Sequence, residues 1–248
     1  MSSERLARDL RGLALDLRWA WSPAFTRLWE YIDAEEWRSV SSPWIMVSQL
    51  GKSRLNSLAQ DPAFMTLVDA CRDEQRRALA TPGWFSRVRK GAQLHTIAYF
   101  SMEFGLSEAL PIYSGGLGVL AGDHLKAASD LGVPIVGVGL LYGEGYFRQI
   151  LAPDGMQQEL YARNEPNQLP IARLRNSEGE PICVPLAFPG RRVRVRVWEV
   201  AVGRVRLLLL DTNDAANTPL DRAITARLYG GGKEVRLTQE LVLGIPWR

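Results

Sequence analysis

Two adjacent glycines, Gly115 and Gly116, are the residues best suited to chemistry in this chain, because they stand directly ahead of a predicted helix. The first amide groups of a helix have no intrahelical acceptor, and the helix dipole adds partial positive charge there. Each glycine lacks a Cβ atom, so an anion can approach the backbone closely. A phosphate or a sugar hydroxyl could bind there. The alternative is a tight turn of left-handed residues that binds nothing.

A carboxylate, Glu103, lies just beyond the end of a predicted strand at residues 96–102. In open α/β sheets, ligands bind outside the carboxyl ends of the strands. Glu103 is therefore placed to orient sugar hydroxyls. A carboxylate that only caps a loop or a helix would give the same sequence, so this alternative stays open.

The elements that must position these residues form a βαβ unit. Residues 96–102 predict a buried strand, residues 116–131 show the apolar spacing of a helix, and residues 135–142 predict a second buried strand. Gly132 and Pro134 end the helix. The crossover between the two strands should be right-handed.

Ahead of this unit, residues 1–82 predict an accessory helical domain, with helices at residues 4–21, 23–32, 47–59 and 62–79. The turn at residues 81–83 marks its boundary with a second domain, residues 83–248. Four tryptophans crowd the helices: Trp19, Trp21, Trp29 and Trp37. Stacking on sugar rings is one role open to them, but large aromatic residues more often form a core.

After the βαβ unit, alternating and apolar runs predict strands at residues 147–151, 182–188, 192–200 and 205–210. Within the third run, arginine and valine alternate, so that the valines share one face and the arginines the other. A basic ribbon of this kind can contact nucleic acid, but no aromatic residues interleave with the arginines. A solvated sheet face is the better interpretation. The glycines at residues 230–232 precede Lys233 but lack the following Ser or Thr of a phosphate loop.

Composition excludes several classes of protein. The chain of 248 residues carries a formal net charge of +3, which is too small an excess to indicate a nucleic-acid partner. No apolar run reaches the ~20 residues of a membrane span, and the charged start has no signal-peptide core. Cys71 and Cys183 fit no metal-ligand spacing and predict free thiols. We expect a cytoplasmic protein that binds no membrane and no metal.

The chain resembles the α-glucan phosphorylases, which act on glycogen, starch or maltodextrin. The matching motifs occur in order: YFSMEF at residues 99–104, SGGLGVLA at 114–121, DLG at 130–132, GYFRQ at 145–149 and RLTQE at 236–240. The residues of these motifs are most similar to those of the shorter bacterial and archaeal branch, which carries an extra helical region ahead of the catalytic domains. The resemblance implies an α/β fold in which the helical region precedes a Rossmann-like first domain of the two-domain GT-B glycosyltransferase fold, with an antiparallel β insertion.

The resemblance also implies an activity and its residues. The family cleaves terminal α-1,4-linked glucose with inorganic phosphate to give glucose 1-phosphate, and it uses pyridoxal 5′-phosphate. Glu103 matches an active-site glutamate of the family. Gly115, Gly116 and Leu117 match the glycine loop that faces the substrate phosphate and glucose. The expected partners are therefore an α-glucan and phosphate, with a homo-oligomer also open.

Two features of the family pattern have no counterpart here: the lysine that binds pyridoxal phosphate and a histidine-bearing glucose loop. The pattern breaks after Gly244. We therefore expect the amino-terminal portion of a phosphorylase with an incomplete first domain, inactive alone. An incomplete sheet would leave Val136, Val138 and Leu140 partly exposed.

Two alternatives remain open. The chain could be a carbohydrate-binding remnant without catalytic activity. It could also be part of a glucan synthase, which shares the glycine loop and the GT-B fold. Synthases place a lysine shortly before that loop, whereas Tyr113 and Ser114 occupy the approach here, which favours a phosphorylase.

Overall fold

A computed structural model describes residues 2–89 and 94–244 of the chain. Residues 245–248, where the family pattern is expected to break, lie outside this range. The first part of the chain is helical. It consists of α1 (Ser3–Leu15), a 3₁₀ turn (Leu17–Ala20), α2 (Pro23–Ile32), α3 (Ala34–Val40), α4 (Pro43–Gln49), α5 (Lys52–Gln60), α6 (Pro62–Ala80) and α7 (Trp84–Val88).

Local capping explains where the helices differ from the sequence prediction. The predicted helix at residues 47–59 is two helices, because Leu50 is extended and Gly51 acts as the N-cap of α5. The first predicted helix ends at Leu15, where the side chain of Asp16 caps the 3₁₀ turn. Helix α3 was not predicted, although Asp33 caps it by accepting hydrogen bonds from the amides of Glu35 and Glu36.

The tryptophans of this region serve mainly as core. Trp29 is fully buried and Trp19 is 4% exposed, while Trp21 and Trp37 are half-buried against the same core. The ring of Trp19 meets that of Trp37 edge to face, with centroids 6.1 Å apart. The interpretation as core is therefore confirmed for Trp19 and Trp29.

The predicted βαβ unit is present, with β1 (Ile97–Phe100), α8 (Gly116–Leu131) and β2 (Ile135–Leu140). Strands β1 and β2 are parallel, with Ile97 opposite Ile135. The sheet continues in the order β1-β2-β8-β7-β5, and β6 also pairs with β7. Its further members are β5 (Ala172–Arg173), β6 (Cys183–Phe188), β7 (Arg191–Val202) and β8 (Val205–Asp211). Since β8 is parallel to β2 and the other three pairings are antiparallel, the sheet is mixed.

The remaining elements lie outside this sheet. They are the hairpin β3 (Arg148–Leu151) and β4 (Gln157–Leu160), a 3₁₀ turn (Pro166–Gln168), α9 (Pro219–Arg222) and α10 (Lys233–Gly244). No helix in residues 2–89 or 94–244 has the length and apolar character needed to cross a bilayer. Both cysteines are free thiols: Cys71 is buried, which raises the pKa of its thiol to about 12, and Cys183 is half-buried.

The expected exposure of β2 is wrong. Val138 and Leu140 are each only 1% exposed, and Val136 is half-buried. Strand β2 lies between β1 and β8 and contacts both α8 and α10, so neighbours inside this chain cover it. The sheet does not need further strands to bury this apolar surface.

The arginine–valine alternation in β7 follows the prediction. Val193, Val195 and Val197 are buried, whereas Arg192 and Arg194 are exposed. The arginines on this face are partly neutralised, because Asp214 pairs with Arg194 and with Arg196. The face is solvated and carries ion pairs, as expected of a sheet surface.

A buried carboxylate joins the helical region to the sheet. One oxygen of Asp16 accepts a hydrogen bond from the amide of Gly203, in the turn between β7 and β8, at 2.8 Å. The other oxygen accepts one from the side chain of Gln75 in α6, also at 2.8 Å. Because Asp16 is 5% exposed, its two oxygens hold three segments together in a water-poor contact.

The packing of α8 predicts opposite outcomes for two glycine substitutions. A Cβ atom on Gly122 would lie 2.1 Å from the carbonyl oxygen of Gly105, whereas one on Gly12 in α1 would meet nothing within 4 Å. We expect Gly122→Ala to lower the free energy of unfolding by about 1–3 kcal/mol through overpacking. Gly12→Ala should raise it by roughly 0.5–1 kcal/mol, because alanine favours the helix.

Urea denaturation of both variants measures this difference. Equal effects of the two substitutions would contradict the close approach of α8 to the loop after β1.

Candidate active site

The candidate site lies where β1 ends, at the carboxyl edge of the parallel strands. The amide of Ser101 continues the β1–β2 pairing by donating to the carbonyl oxygen of Val138 at 3.1 Å. The hydroxyl of Ser101 then donates to the carbonyl oxygen of Glu103 at 2.8 Å. These bonds turn the chain away from the sheet and fix the backbone of Glu103 there.

Both oxygens of the Glu103 carboxylate are engaged. Oε2 accepts a hydrogen bond from the backbone amide of Ser114 at 2.7 Å and lies 3.3 Å from the Ser114 hydroxyl. Oε1 accepts a short hydrogen bond from the hydroxyl of Tyr229. Since Glu103 is 5% exposed, these bonds form in a site largely closed to water. Glu103 thereby links the strand end, the glycine loop and the loop ahead of α10.

The two glycines of the loop are not required by the fold of this chain. Gly115 is extended, with φ −149° and ψ −161°, and forms the N-cap of α8. Neither Gly115 nor Gly116 has a positive φ, so the alternative of a left-handed turn is wrong. Both residues are exposed, and a Cβ atom on either one would meet nothing within 4 Å. The open space beside these backbones is therefore available to a ligand.

Gly118, two residues further along α8, has no room for a side chain. A Cβ atom on Gly118 would lie 2.7 Å from Cβ of Tyr113 and 3.1 Å from Cβ of Glu103. The amide of Gly105 donates to the carbonyl oxygen of Gly118 at 2.7 Å. Gly118 thus lets the first turn of α8 sit directly against Glu103, which brings the open helix terminus and the buried carboxylate into one site.

Leu117, the third predicted residue of the loop, points outward. Its side chain is 78% exposed, and that of Leu120 one turn further is 63% exposed. The amides of residues 116–118 are those that a helix leaves without intrahelical acceptors. The structure therefore brings together Glu103, Gly115, Gly116 and Leu117 around one exposed helix terminus.

Sequence reasoning missed Tyr229 as a site residue, although the pair Leu228-Tyr229 belongs to the region that resembles the family. Tyr229 adopts a left-handed backbone, with φ 58°, which is uncommon for a bulky residue. The hydrogen bond to Glu103, aided by partial desolvation, raises the pKa of the Tyr229 hydroxyl. A backbone strained in this way is held by its surroundings, and here the bond to Glu103 is the evident restraint.

Arg236 of α10 is a second residue that was missed. Its guanidinium carbon lies 5.7 Å from the centre of the Tyr229 ring, and its Nε donates to Glu240 at 3.2 Å. Its Nη1 atom is buried and has no hydrogen-bond partner among the described residues. A cationic donor without an acceptor therefore lies beside the Glu103–Tyr229 pair.

Two other side chains near α8 already have partners within the chain. The ring of His124 is stacked on that of Tyr99, with centroids 5.0 Å apart, which agrees with a packing role. The hydroxyl of Tyr113 donates to Glu108 at 2.6 Å, and burial together with this bond raises its pKa to about 12. A separate cavity of about 360 Å³ opens near the carboxyl ends of β2 and β8 and was not anticipated.

Comparison with known proteins gives a family match and several relatives. A family described as "Protein of unknown function (DUF3417)" matches residues 3–110. A maltodextrin phosphorylase of Thermococcus litoralis is 41% identical over 246 residues, covering 97% of this chain and 29% of the relative. A glycogen phosphorylase of Mycobacterium tuberculosis is 43% identical over 249 residues, covering 98% of this chain and 29% of the relative. A glycogen phosphorylase of Aquifex aeolicus is 36% identical over 244 residues, covering 98% of this chain and 34% of the relative.

Over almost its whole length, therefore, the chain is homologous to glycogen and maltodextrin phosphorylases. This finding confirms the resemblance that the ordered motifs indicate. The chain spans about a third of the length of these curated relatives, 29–34%.

The Glu103–Tyr229 bond predicts a specific titration. The Tyr229 hydroxyl should ionise above its ordinary pKa of about 10, because ionisation would break its hydrogen bond to Glu103 and place a phenolate beside the carboxylate. We expect Glu103→Gln to lower this pKa, since the neutral glutamine accepts a weaker hydrogen bond and carries no charge. The measurement is the ultraviolet absorbance of phenolate against pH, with each protein compared with its Tyr229→Phe counterpart.

Glu159→Gln is the matched control, because the hydroxyl of Tyr161 donates to Glu159 at 2.8 Å in the exposed hairpin. This control should lower the pKa of the Tyr161 hydroxyl, which Glu159 raises, and leave the pKa of the Tyr229 hydroxyl unchanged. An unchanged Tyr229 titration in Glu103→Gln would show that the two side chains do not interact in solution.

Proposed function

We propose that this chain supplies the glycine-loop half of an α-glucan phosphorylase active site, which transfers terminal glucose from an α-1,4-glucan to phosphate. The observation that carries the proposal is the bare helix terminus at Gly115 and Gly116: both are exposed and have open space beside them, although no backbone strain requires glycine. The names of the relatives support the same reaction.

Each site residue receives a role in this proposal. The amides of residues 116–118, with the positive end of the α8 dipole, donate to oxygens of the substrate phosphate or glucose. Gly115 and Gly116 leave room for those oxygens. Glu103 orients the glycine loop through Ser114 and is the candidate carboxylate for glucose hydroxyls. Leu117 offers apolar contact beside the sugar.

The architecture supports a finer description of the fold. The parallel strands β1, β2 and β8 with α8 form the start of a Rossmann-like first domain of the GT-B type. Strands β5, β6 and β7 form its antiparallel insertion. Residues 1–82 form the accessory helical domain and residues 83–248 the incomplete first domain. A cytoplasmic location and a homo-oligomer remain predictions.

Pyridoxal 5′-phosphate is implied by the family resemblance, where it supplies a phosphate group that donates or relays a proton. The described residues do not fit its covalent attachment. Lys52 and Lys233 are exposed, and the ammonium group of Lys126 lies 3.9 Å from Asp123 on the surface of α8. No reaction step in this chain is assigned to the cofactor.

The contacts ahead of the glycine loop support a phosphorylase over a glucan synthase. At the place where synthases carry a lysine, Tyr113 is bonded to Glu108 and Ser114 is bonded to Glu103. Neither side chain carries the positive charge with which a lysine at this place could bind a nucleotide phosphate. The loop is instead tied to a carboxylate that can accept sugar hydroxyls.

The test is turnover of a completed enzyme, made by joining this chain to the remaining length of the Mycobacterium tuberculosis relative. Gly116→Ala should reduce kcat by about 10²–10³, because the methyl group blocks the approach of substrate oxygens to preorganised donors. The melting temperature should hardly change, because the added Cβ meets no atom of this chain within 4 Å.

Gly12→Ala is the matched control, since Gly12 is equally open but lies in α1, away from the site. Turnover of that control should stay normal, and the chain alone should release no glucose 1-phosphate from maltodextrin. Normal turnover in a folded Gly116→Ala enzyme would contradict the assignment of the loop to the active site. Turnover by the chain alone would contradict the role of a partial site.

A further inference from the structure

Tyr229 stands in a segment that offers its side chain little support. The side chain is 58% exposed, the backbone is left-handed, and three glycines follow at residues 230–232. Glycines leave the chain conformationally free. The hydroxyl nevertheless reaches the buried carboxylate of Glu103. One hydrogen bond fixes only the tip of the ring, so the orientation of the rest of the side chain depends on other contacts.

Arg236, in the first turn of α10, makes a contact of this kind. Its guanidinium carbon lies 5.7 Å from the centre of the Tyr229 ring, within the roughly 6 Å at which a cation is attracted to an aromatic face. The Nη1 atom of Arg236 is buried and has no hydrogen-bond partner in the part of the chain that the structure describes. A buried donor without an acceptor is costly, and the ring offers this cation a partner of another kind.

The helix holds Arg236 in this place. Nε of Arg236 donates to Glu240, four residues further along α10, at 3.2 Å. Helix α10 is itself anchored by Gln239, which is 1% exposed. The side-chain nitrogen of Gln239 donates to the carbonyl oxygens of Ile224 at 2.9 Å and Arg227 at 3.0 Å. The guanidinium group is therefore presented to the loop from a fixed element.

The positive charge of Arg236 acts into the site. Three groups from three segments act on the Tyr229 hydroxyl: Glu103 after β1 raises its pKa, whereas Ser114 in the glycine loop and Arg236 on α10 lower it. Burial raises the pKa of the Tyr142 hydroxyl, beyond the end of β2, and Arg236 opposes that rise as well. The guanidinium group thus lies close enough to influence both tyrosines.

We propose that Arg236 is a positioning residue of the candidate active site, whose guanidinium group holds the ring of Tyr229 so that the hydroxyl stays bonded to Glu103. Arg236 acts through the tyrosine in this role and touches no substrate. The loop ahead of α10 is thereby kept beside the glycine loop, to which Glu103 is also bonded. The importance of this position for catalysis rests on the proposed function, whereas the contact itself is a property of the folded chain.

The phenolate titration of Tyr229 in Arg236→Gln tests this role in the chain alone, with each protein compared with its Tyr229→Phe counterpart. Loss of the positive charge by itself would raise the pKa of the hydroxyl, because Arg236 lowers it. Loss of the position would break the hydrogen bond to Glu103 and let the pKa fall toward its ordinary value of about 10. We expect the fall.

Two further variants examine how Arg236 acts. In a chain that already carries Glu103→Gln, Arg236→Gln should cause no further fall, because the bond through which the arginine acts is already weakened. Arg236→Lys keeps a cation beside the ring and should keep the pKa of Tyr229 raised. The lysine variant stays informative if Arg236→Gln unfolds the chain.

Arg227→Gln is the matched control, because Arg227 has the same kind of contact with a different tyrosine. Its guanidinium carbon lies 5.6 Å from the centre of the Tyr161 ring, and its Nε donates to Glu144 at 2.7 Å. This substitution removes a positive charge from the same loop and should leave the pKa of Tyr229 unchanged.

The other outcomes contradict the positioning role. A raised or unchanged pKa of Tyr229 in Arg236→Gln would show that the arginine contributes charge alone or nothing. An equal fall in Arg227→Gln would show a general disturbance of the loop, and a fall in Arg236→Lys as large as in Arg236→Gln would show that a cation does not hold the ring. A further fall in the Glu103→Gln chain would show that Arg236 does not act through this bond. The titration uses no substrate, so turnover of the Gly116→Ala enzyme bears on the proposed function alone.

Discussion

The carboxylate of Glu103 is the interaction on which the candidate site depends. It is buried, and its two oxygens bind the amide of Ser114 and the hydroxyl of Tyr229. A buried carboxylate with only one of these partners would carry a large desolvation cost. The two loops are therefore held together by the need to satisfy one charge. This is why the helix terminus and the segment ahead of α10 share one site.

The glycines around Glu103 form two groups, and the absence of a side chain has a different physical consequence in each group. Gly118 and Gly122 permit contact, because a Cβ atom on either would collide with Tyr113 or with the backbone of Gly105. Gly115 and Gly116 have no such neighbour, and their backbone is open to any residue type. One group brings α8 against the carboxylate, and the other leaves its terminus bare. A site for an anion or a sugar needs both.

Local signals in the sequence predicted the βαβ unit well, because apolar spacing and the stop at Gly132 depend on neighbouring residues. Helix α8 begins at Gly116 and ends at Leu131, as expected. The bond between Tyr229 and Glu103 joins residues 126 positions apart, and no local pattern reports it. Nor could spacing distinguish the open Gly116 from the packed Gly118. Strand β2 is covered in part by β8 and α10, which lie far along the chain, so the expectation that Val138 would be exposed failed.

Amide hydrogen exchange in Glu103→Ala measures the central claim most directly. If one carboxylate holds both loops, exchange should rise together in the glycine loop around Ser114 and in the loop around Tyr229, while the helical region at residues 3–80 keeps its protection. Faster exchange in only one of the two loops, or an equal rise throughout the chain, would contradict the account.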